Sequence, residues 1–255
     1  MTTAGTLLLV PNALDLGADA VDLQDVLARG VIRRAAALAH WVVEDARSAR
    51  AFLKRVDAVE PLAQPLQATD IRELPRPRKG AGAGAGVPPE AWRALLQPAL
   101  DGNDVGLLSE AGLPAVADPG AALVEAAHAA GVPVVPLAGA SSLLLALAAS
   151  GLNGQSFAFV GYMPQDAGQR AARIRDLEAV SRRLQQTQLI IETPYRNAAL
   201  AAALVAALEP ATRLSVSVGL TLDAGWTRSD TVAGWRARPA TLPDRLPAVF
   251  ALLAR

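Results

Sequence analysis

From Val105 to Pro136 the sequence runs through an apolar stretch (VGLLS), a long connection (SEAGLPAVADPG), an alanine-rich helical stretch and a second apolar stretch (VPVVP). Strand, helix and strand in that order, with Gly131 at the helix stop, constrain the fold more than any other feature of the chain. The rest of the first half repeats the alternation. Thr6–Val10 reads as a strand, Asp22–Ala39 as a helix, His40–Glu44 as a strand and Ala46–Val56 as a helix with a basic face of Arg47, Arg50, Lys54 and Arg55. A helix over Pro89–Leu100 opens with proline and glutamate, a favourable first turn, and leads into the strand Val105–Ser109. Helix Ala121–Ala130 and strand Val132–Pro136 close the half, which predicts a mostly parallel sheet covered on both faces.

The second half is organised differently. A buried helix from Ser142 to Ser150, a strand at Phe157–Val160, a charged helix over Asp166–Gln186, the strand TQLIIE and the helix Asn197–Leu208 come first. Three strand-like stretches then follow: RLSVSVGL, SDTVAGW and LPAVFALLA. The predicted architecture is α/β: an N-terminal domain over residues 1–137 with a mostly parallel sheet, and a C-terminal domain over 138–255 with a mixed sheet.

Composition excludes several function classes. The chain has 255 residues with 24 basic and 24 acidic side chains, so no global field draws it to nucleic acid or membrane. It has no cysteine, which excludes disulfides and thiolate metal sites, and its two histidines, His40 and His128, make no ligand pair; no metal site is expected. The N-terminal stretch has no basic region ahead of its short apolar run, and prolines and glycine break up the apolar stretch VPVVPLAGASSLLLALAASGL, so a cytoplasmic protein is expected.

In open α/β sheets ligands bind beyond the carboxyl ends of the strands, and the unusual loops of this chain fall there. They are PNALD, EDAR, SEAGLPAVADPG, LAGASS and ETPYR. Each has an ordinary structural explanation. Asp118 before Pro119 suits a helix N-cap, Gly112 and Gly139 permit tight turns, and Ser141 or Ser142 suits a cap. Glu44 and Asp45 suit a solvated helix start, and Arg196 a surface charge. Five such loops at strand ends together point to a ligand site.

The alternating glycines of Gly80–Gly86 match neither G-x-G-x-x-G nor a loop ending in G-K-[ST], and ELPRPRK rather than a strand leads into them. They read as a flexible surface loop, flanked by Arg72, Arg76, Arg78 and Lys79 as a basic flap. A nucleotide-type architecture without a phosphate-cradling turn points to a ligand without phosphates, a condition that S-adenosylmethionine meets.

At these loops the chain resembles the tetrapyrrole methylase superfamily, and within it the bacterial 16S rRNA (cytidine-2′-O)-methyltransferase branch. LLSEAGLPAVADPGAALV is similar to the branch's S-D-A-G-T-P-x-I-S-D-P-G-x-x-L-V, and VVPLAGASSLLLALAASGL to V-x-P-L-P-G-P-S-A-x-x-x-A-L-x-x-S-G-L. FVGYMPQDAGQR, IIETPYR and VVEDARSARAFL resemble G-F-L-P-x-K-x-x-x-R, x-Y-E-x-P-H-R and A-E-D-T-R-x-T-x-x-L-L in the same order. Departures from the pattern include Glu110 for aspartate, Ala138 for proline, Ile191 for tyrosine and Tyr195 for histidine.

The resemblance implies two α/β domains with a ligand cleft between them, a homodimer and S-adenosylmethionine as cofactor. Donor contacts then fall on Pro11, Glu110, Gly112, Leu113, Gly139, Ser141, Ser142, Met163 and Thr193, with Asp118 shaping the loop. A ribose hydroxyl attacking the methyl group needs a proton acceptor, and Glu44, Asp45 and Glu192 are the candidate carboxylates. An RNA substrate, ribosomal RNA or the small subunit, would contact Arg47, Arg76, Arg78, Lys79, Arg170 and Arg196, with Arg50, Arg173 and Arg175 nearby. Methylation of a tetrapyrrole or other small molecule, or donor binding without catalysis, stand as alternatives.

Overall fold

A computed structural model describes residues 4–15, 22–75 and 87–255. The chain divides into two compact units, Met1–Ala140 and Ser141–Arg255.

The first unit is a five-stranded, all-parallel sheet in the order β3-β2-β4-β1-β5. Its strands are β1 (Leu7–Val10), β2 (His40–Val43), β3 (Asp70–Glu73), β4 (Val105–Leu108) and β5 (Val134–Pro136). Its helices are α1 (Arg29–Ala36), α2 (Ala46–Asp57), α3 (Pro89–Leu100) and α4 (Ala121–Ala129). All four residues of central β4 are buried, as expected for a strand covered on both faces. One face packs Leu8, Val10 and Leu108 against Ile32, Phe52 and Leu53 of α1 and α2, and the other packs Leu7, Val105 and Leu107 against Leu96 and Leu123 of α3 and α4. Trp41 closes over Gly106, where a β-carbon would lie 2.7 Å from the indole, and its Nε1–H donates to the Leu38 carbonyl.

The register aligns the functional edge. Val10 and Val43 both lie level with Leu108, and the Leu137 N–H donates to the Leu9 carbonyl. The loops after β1, β2, β4 and β5 therefore leave the sheet at one height.

The second unit holds a mixed sheet in the order β6-β7-β10-β8-β9. Its strands are β6 (Phe157–Phe159), β7 (Thr187–Glu192), β8 (Arg213–Val218), β9 (Trp226–Thr231) and β10 (Ala248–Leu253). β6 and β7 run parallel, and the other pairs are antiparallel. Helices α6 (Ala167–Leu184), α7 (Asn197–Ala207) and α8 (Val232–Ala237) share a core with one face. α5 (Ser142–Ser150) packs Leu143, Ala146 and Leu147 against Leu189, Val249 and Ala251 on the other.

Several expectations are corrected. The helix expected over Asp22–Ala39 is a 3₁₀ turn at Leu23–Asp25, an extended Ala28 and then α1. Gly30, a poor helix former, sits at the restart. The strand expected in SDTVAGW ends at Thr231, whose hydroxyl accepts from the Gly234 N–H and starts α8. A strand does precede the glycine run: β3 pairs with β2 as a polar edge whose DIRE sequence lacks the apolar alternation that would reveal it. Arg72 belongs to that strand and pairs with Asp70 at 2.8 Å rather than to a flap. Arg55 leaves the basic face of α2 to pair with buried Asp15 at 2.6 Å. Arg76, Arg78, Lys79 and Gly80–Gly86 lie outside the described residues. Among the described residues no helix is long and apolar enough to cross a membrane.

Candidate functional site

In the first unit the loop after β1 is fastened to the loop after β4 by Asn12. Its side-chain amide donates to the Ser109 and Glu110 carbonyls at 3.1 and 3.0 Å, and its Oδ1 accepts from the Ala13 N–H at 2.8 Å. Its main chain exchanges two further hydrogen bonds with Gly112, at 2.8 and 3.2 Å. Pro11 is packed so closely on Gly139 that a β-carbon at Gly139 would lie 2.2 Å from the proline ring. Pro11, Glu110, Gly112 and Gly139 are thus drawn together by main-chain contacts and by Asn12. Sequence reasoning omitted Asn12; its signal is an amide side chain directly after a strand-ending proline.

The loop Ser109–Gly120 carries unusual backbone strain. Gly112, Ala115, Ala117 and Gly120 all have positive φ, at 65°, 66°, 65° and 130°. Glycine tolerates this, but each alanine gives up roughly 1–2 kcal/mol in that region. Such strain persists where the surroundings hold it, and it clusters at ligand sites. Leu113 is half-buried, and the hydroxyl of buried Ser109 has no hydrogen-bond partner among the described residues.

Asp118 does not cap α4. The helix begins one residue beyond Gly120, whose φ of 130° places the N-cap there, so Asp118 stays in the loop with Pro119 behind it. Burial, then the charges of Glu44 and Glu110, push its carboxyl up to about 7. Glu44 accepts from the Glu110 N–H at 3.3 Å. Its carboxyl is also raised, first by burial and then by the Glu110 and Asp45 charges, against the lowering effect of that hydrogen bond. Asp45, by contrast, caps α2 by accepting from the Ser48 N–H at 2.8 Å. Among the described residues no group of three or more metal-ligating side chains is arranged to hold a metal ion. Arg47 is exposed on α2 nearby.

In the second unit, Ser141 stands at the N-cap of α5 without a side-chain capping bond, and Ser142 is the first helical residue. Glu192 is buried, accepts from the Thr193 N–H at 2.8 Å and pairs with Arg196 at 2.8 Å. The same guanidinium donates to the carbonyl of buried Met163 at 3.3 Å, and Arg170 donates to the Pro164 and Gln165 carbonyls at 3.3 and 2.9 Å. Met163, Glu192, Thr193 and Arg196 therefore meet at one end of β6 and β7. Both arginines hold loops in place, and the ion pair with Arg196 occupies Glu192. Of the carboxylates considered as proton acceptors, Glu44 alone is neither a helix cap nor paired with an arginine, and Asp118 joins it.

A family model described as tetrapyrrole (corrin/porphyrin) methylases matches residues 26–235. A protein named ribosomal RNA small subunit methyltransferase I from Mesorhizobium japonicum is 42% identical over 119 residues, 47% of this chain and 39% of that relative. Its namesake from Streptococcus pyogenes serotype M6 is 30% identical over 194 residues, 76% of this chain and 58% of that relative. The chain thus spans between 39% and 58% of the length of these two curated relatives. Among solved structures, the methyltransferase CobJ matches with a TM-score of 0.56 at 16% identity, over 99% of this chain and 100% of that one. Uroporphyrin-III-C-methyltransferase from Thermus thermophilus matches at 0.53 and 18%, over 98% and 94%. Both show likeness of fold.

Proposed function

We propose a function from one premise: the chain belongs to the tetrapyrrole (corrin/porphyrin) methylase family. In our reading it is a methyltransferase that uses S-adenosylmethionine and acts on ribosomal RNA of the small subunit. The observation that carries the donor reading is the strained loop Ser109–Gly120, level with the loops after β1 and β2. Its residues suit an adenosine with an amino-acid tail. Gly112 offers main chain at close approach, Glu110 an exposed carboxylate for hydroxyl or ammonium donors, and Ser109 an unused hydroxyl. Pro11, Leu113 and Gly139 supply apolar and main-chain surface, and Ser141, Ser142, Met163 and Thr193 complete the donor set by resemblance. The RNA reading is supported by the two relatives named as ribosomal RNA methyltransferases.

The donor supplies an electrophilic methyl group on a sulfonium. A ribose hydroxyl that takes this methyl loses its proton, and Asp118 and Glu44 are the carboxyls whose raised proton affinity suits them to accept it. We assign the cytoplasm and a homodimer to the same reading; exposed Phe157 and Phe159 on the edge strand β6 support self-association.

The test is donor binding to the full chain. A ligand at 100 times its Kd adds about 2.7 kcal/mol, and each kcal/mol raises Tm by roughly 2–4 °C at this size. S-adenosylmethionine is expected to raise Tm by roughly 5–10 °C, while ATP and NAD leave it unchanged. No shift with millimolar S-adenosylmethionine, and no heat in calorimetry, would overturn the donor reading.

A further inference from the structure

The chain has two tyrosines, and both are exposed: Tyr162 at 56% and Tyr195 at 85%. They lie at the same end of the second unit. Phe159 is paired with Leu189, and the ladder continues with the Val160 N–H on the Leu189 carbonyl at 2.9 Å and the Ile191 N–H on the Gly161 carbonyl at 3.2 Å. That register brings Tyr162 beside the end of β7, and Tyr195 follows three residues after that end. Arg196 then ties the two loops, through Glu192 at 2.8 Å and the Met163 carbonyl at 3.3 Å. Arg170 holds the Pro164 and Gln165 carbonyls of the Tyr162 loop. The rings are therefore carried on loops fixed by charged hydrogen bonds, so little chain ordering opposes binding to them.

Large aromatic rings exposed on fixed loops, beside cations, suit one kind of occupant. Arg170 is partly exposed, and Arg173, three residues on in α6, is exposed on the same helix. Single-stranded nucleic acid is held by rings that stack on base faces and by cations that track its phosphates. Resting on the RNA reading above, we propose that Tyr162 and Tyr195 form a stacking platform for unpaired bases of the substrate RNA, with Arg170 and Arg173 facing its phosphates.

The experiment titrates the full chain with a fluorescent unpaired oligoribonucleotide and with its abasic counterpart of equal charge. Wild type is expected to prefer the base-bearing strand. Tyr195→Ala is expected to weaken that strand roughly 5- to 150-fold, the range for one lost stacking contact, and to leave the abasic strand unchanged. Tyr195→Phe, which keeps the ring face, is expected to bind like wild type. Calorimetric binding of S-adenosylmethionine by each variant reports that the fold is retained. Equal binding of both strands by wild type, or undiminished binding by Tyr195→Ala, overturns the platform alone. So does a Tyr195→Ala protein that loses self-association in sedimentation while keeping its RNA affinity. Absence of RNA binding by wild type overturns the RNA reading and the platform with it.

Discussion

At the scale of single residues, Asp118 concentrates the electrostatics of the site. Burial and two neighbouring carboxylates act in the same direction, and among the described residues no arginine offsets them. The unfolded carboxyl ionises near its ordinary value of 3.8, the folded one near 7. Between those values the folded chain holds the proton more tightly, so this group's contribution to stability is full below pH 4 and is lost as pH rises toward 7. Asp118→Asn removes the ionisation. The variant is expected to gain Tm relative to wild type at pH 8, with the gain shrinking as pH falls below 7 and vanishing only below pH 4, as read by thermal unfolding across pH. An advantage that does not change with pH would contradict the assignment. The loop holding Asp118 was legible in the sequence, because its glycines, prolines and carboxylates exceed what a connection of roughly two to six residues needs. Its proton affinity was not, because Glu44 and Glu110 approach it only after β2 and β4 pair.

At the scale of elements, the loop after β4 holds two alanines in a left-handed conformation that elsewhere in the fold falls mainly to glycine. Ala117→Gly is expected to match or exceed wild-type stability, because relief of roughly 1–2 kcal/mol offsets the added freedom of the unfolded chain. The control is Ala127→Gly in α4, expected to cost about 1 kcal/mol or more because it lies buried inside a helix. Equal losses at both positions in denaturant unfolding would show that the loop stores no strain. Elements were legible where apolar periodicity was strong: α3 begins and ends where the sequence predicts, and β4 and β10 fall inside their apolar stretches. They were missed where a local polar contact decides. The Thr231 hydroxyl turns a β-rich stretch into a helix, and β3 is held by main-chain pairing with β2 at a polar edge.

At the scale of the whole molecule, the chain carries a parallel sheet whose strand ends rise to one level and a mixed sheet whose loops carry exposed aromatics and fixed arginines. Strand–helix alternation made the first sheet legible, and the strand-rich end of the chain announced the second. The claim that unites them is methyl transfer to RNA. Its most direct measurement incubates the full chain with methyl-labelled S-adenosylmethionine and a cell extract supplemented with small ribosomal subunits, then separates RNA from low-mass material. Label is expected in the small-subunit RNA, resistant to protease and released by nuclease. Label confined to the low-mass fraction, or absent from every fraction while the donor binds, would contradict it.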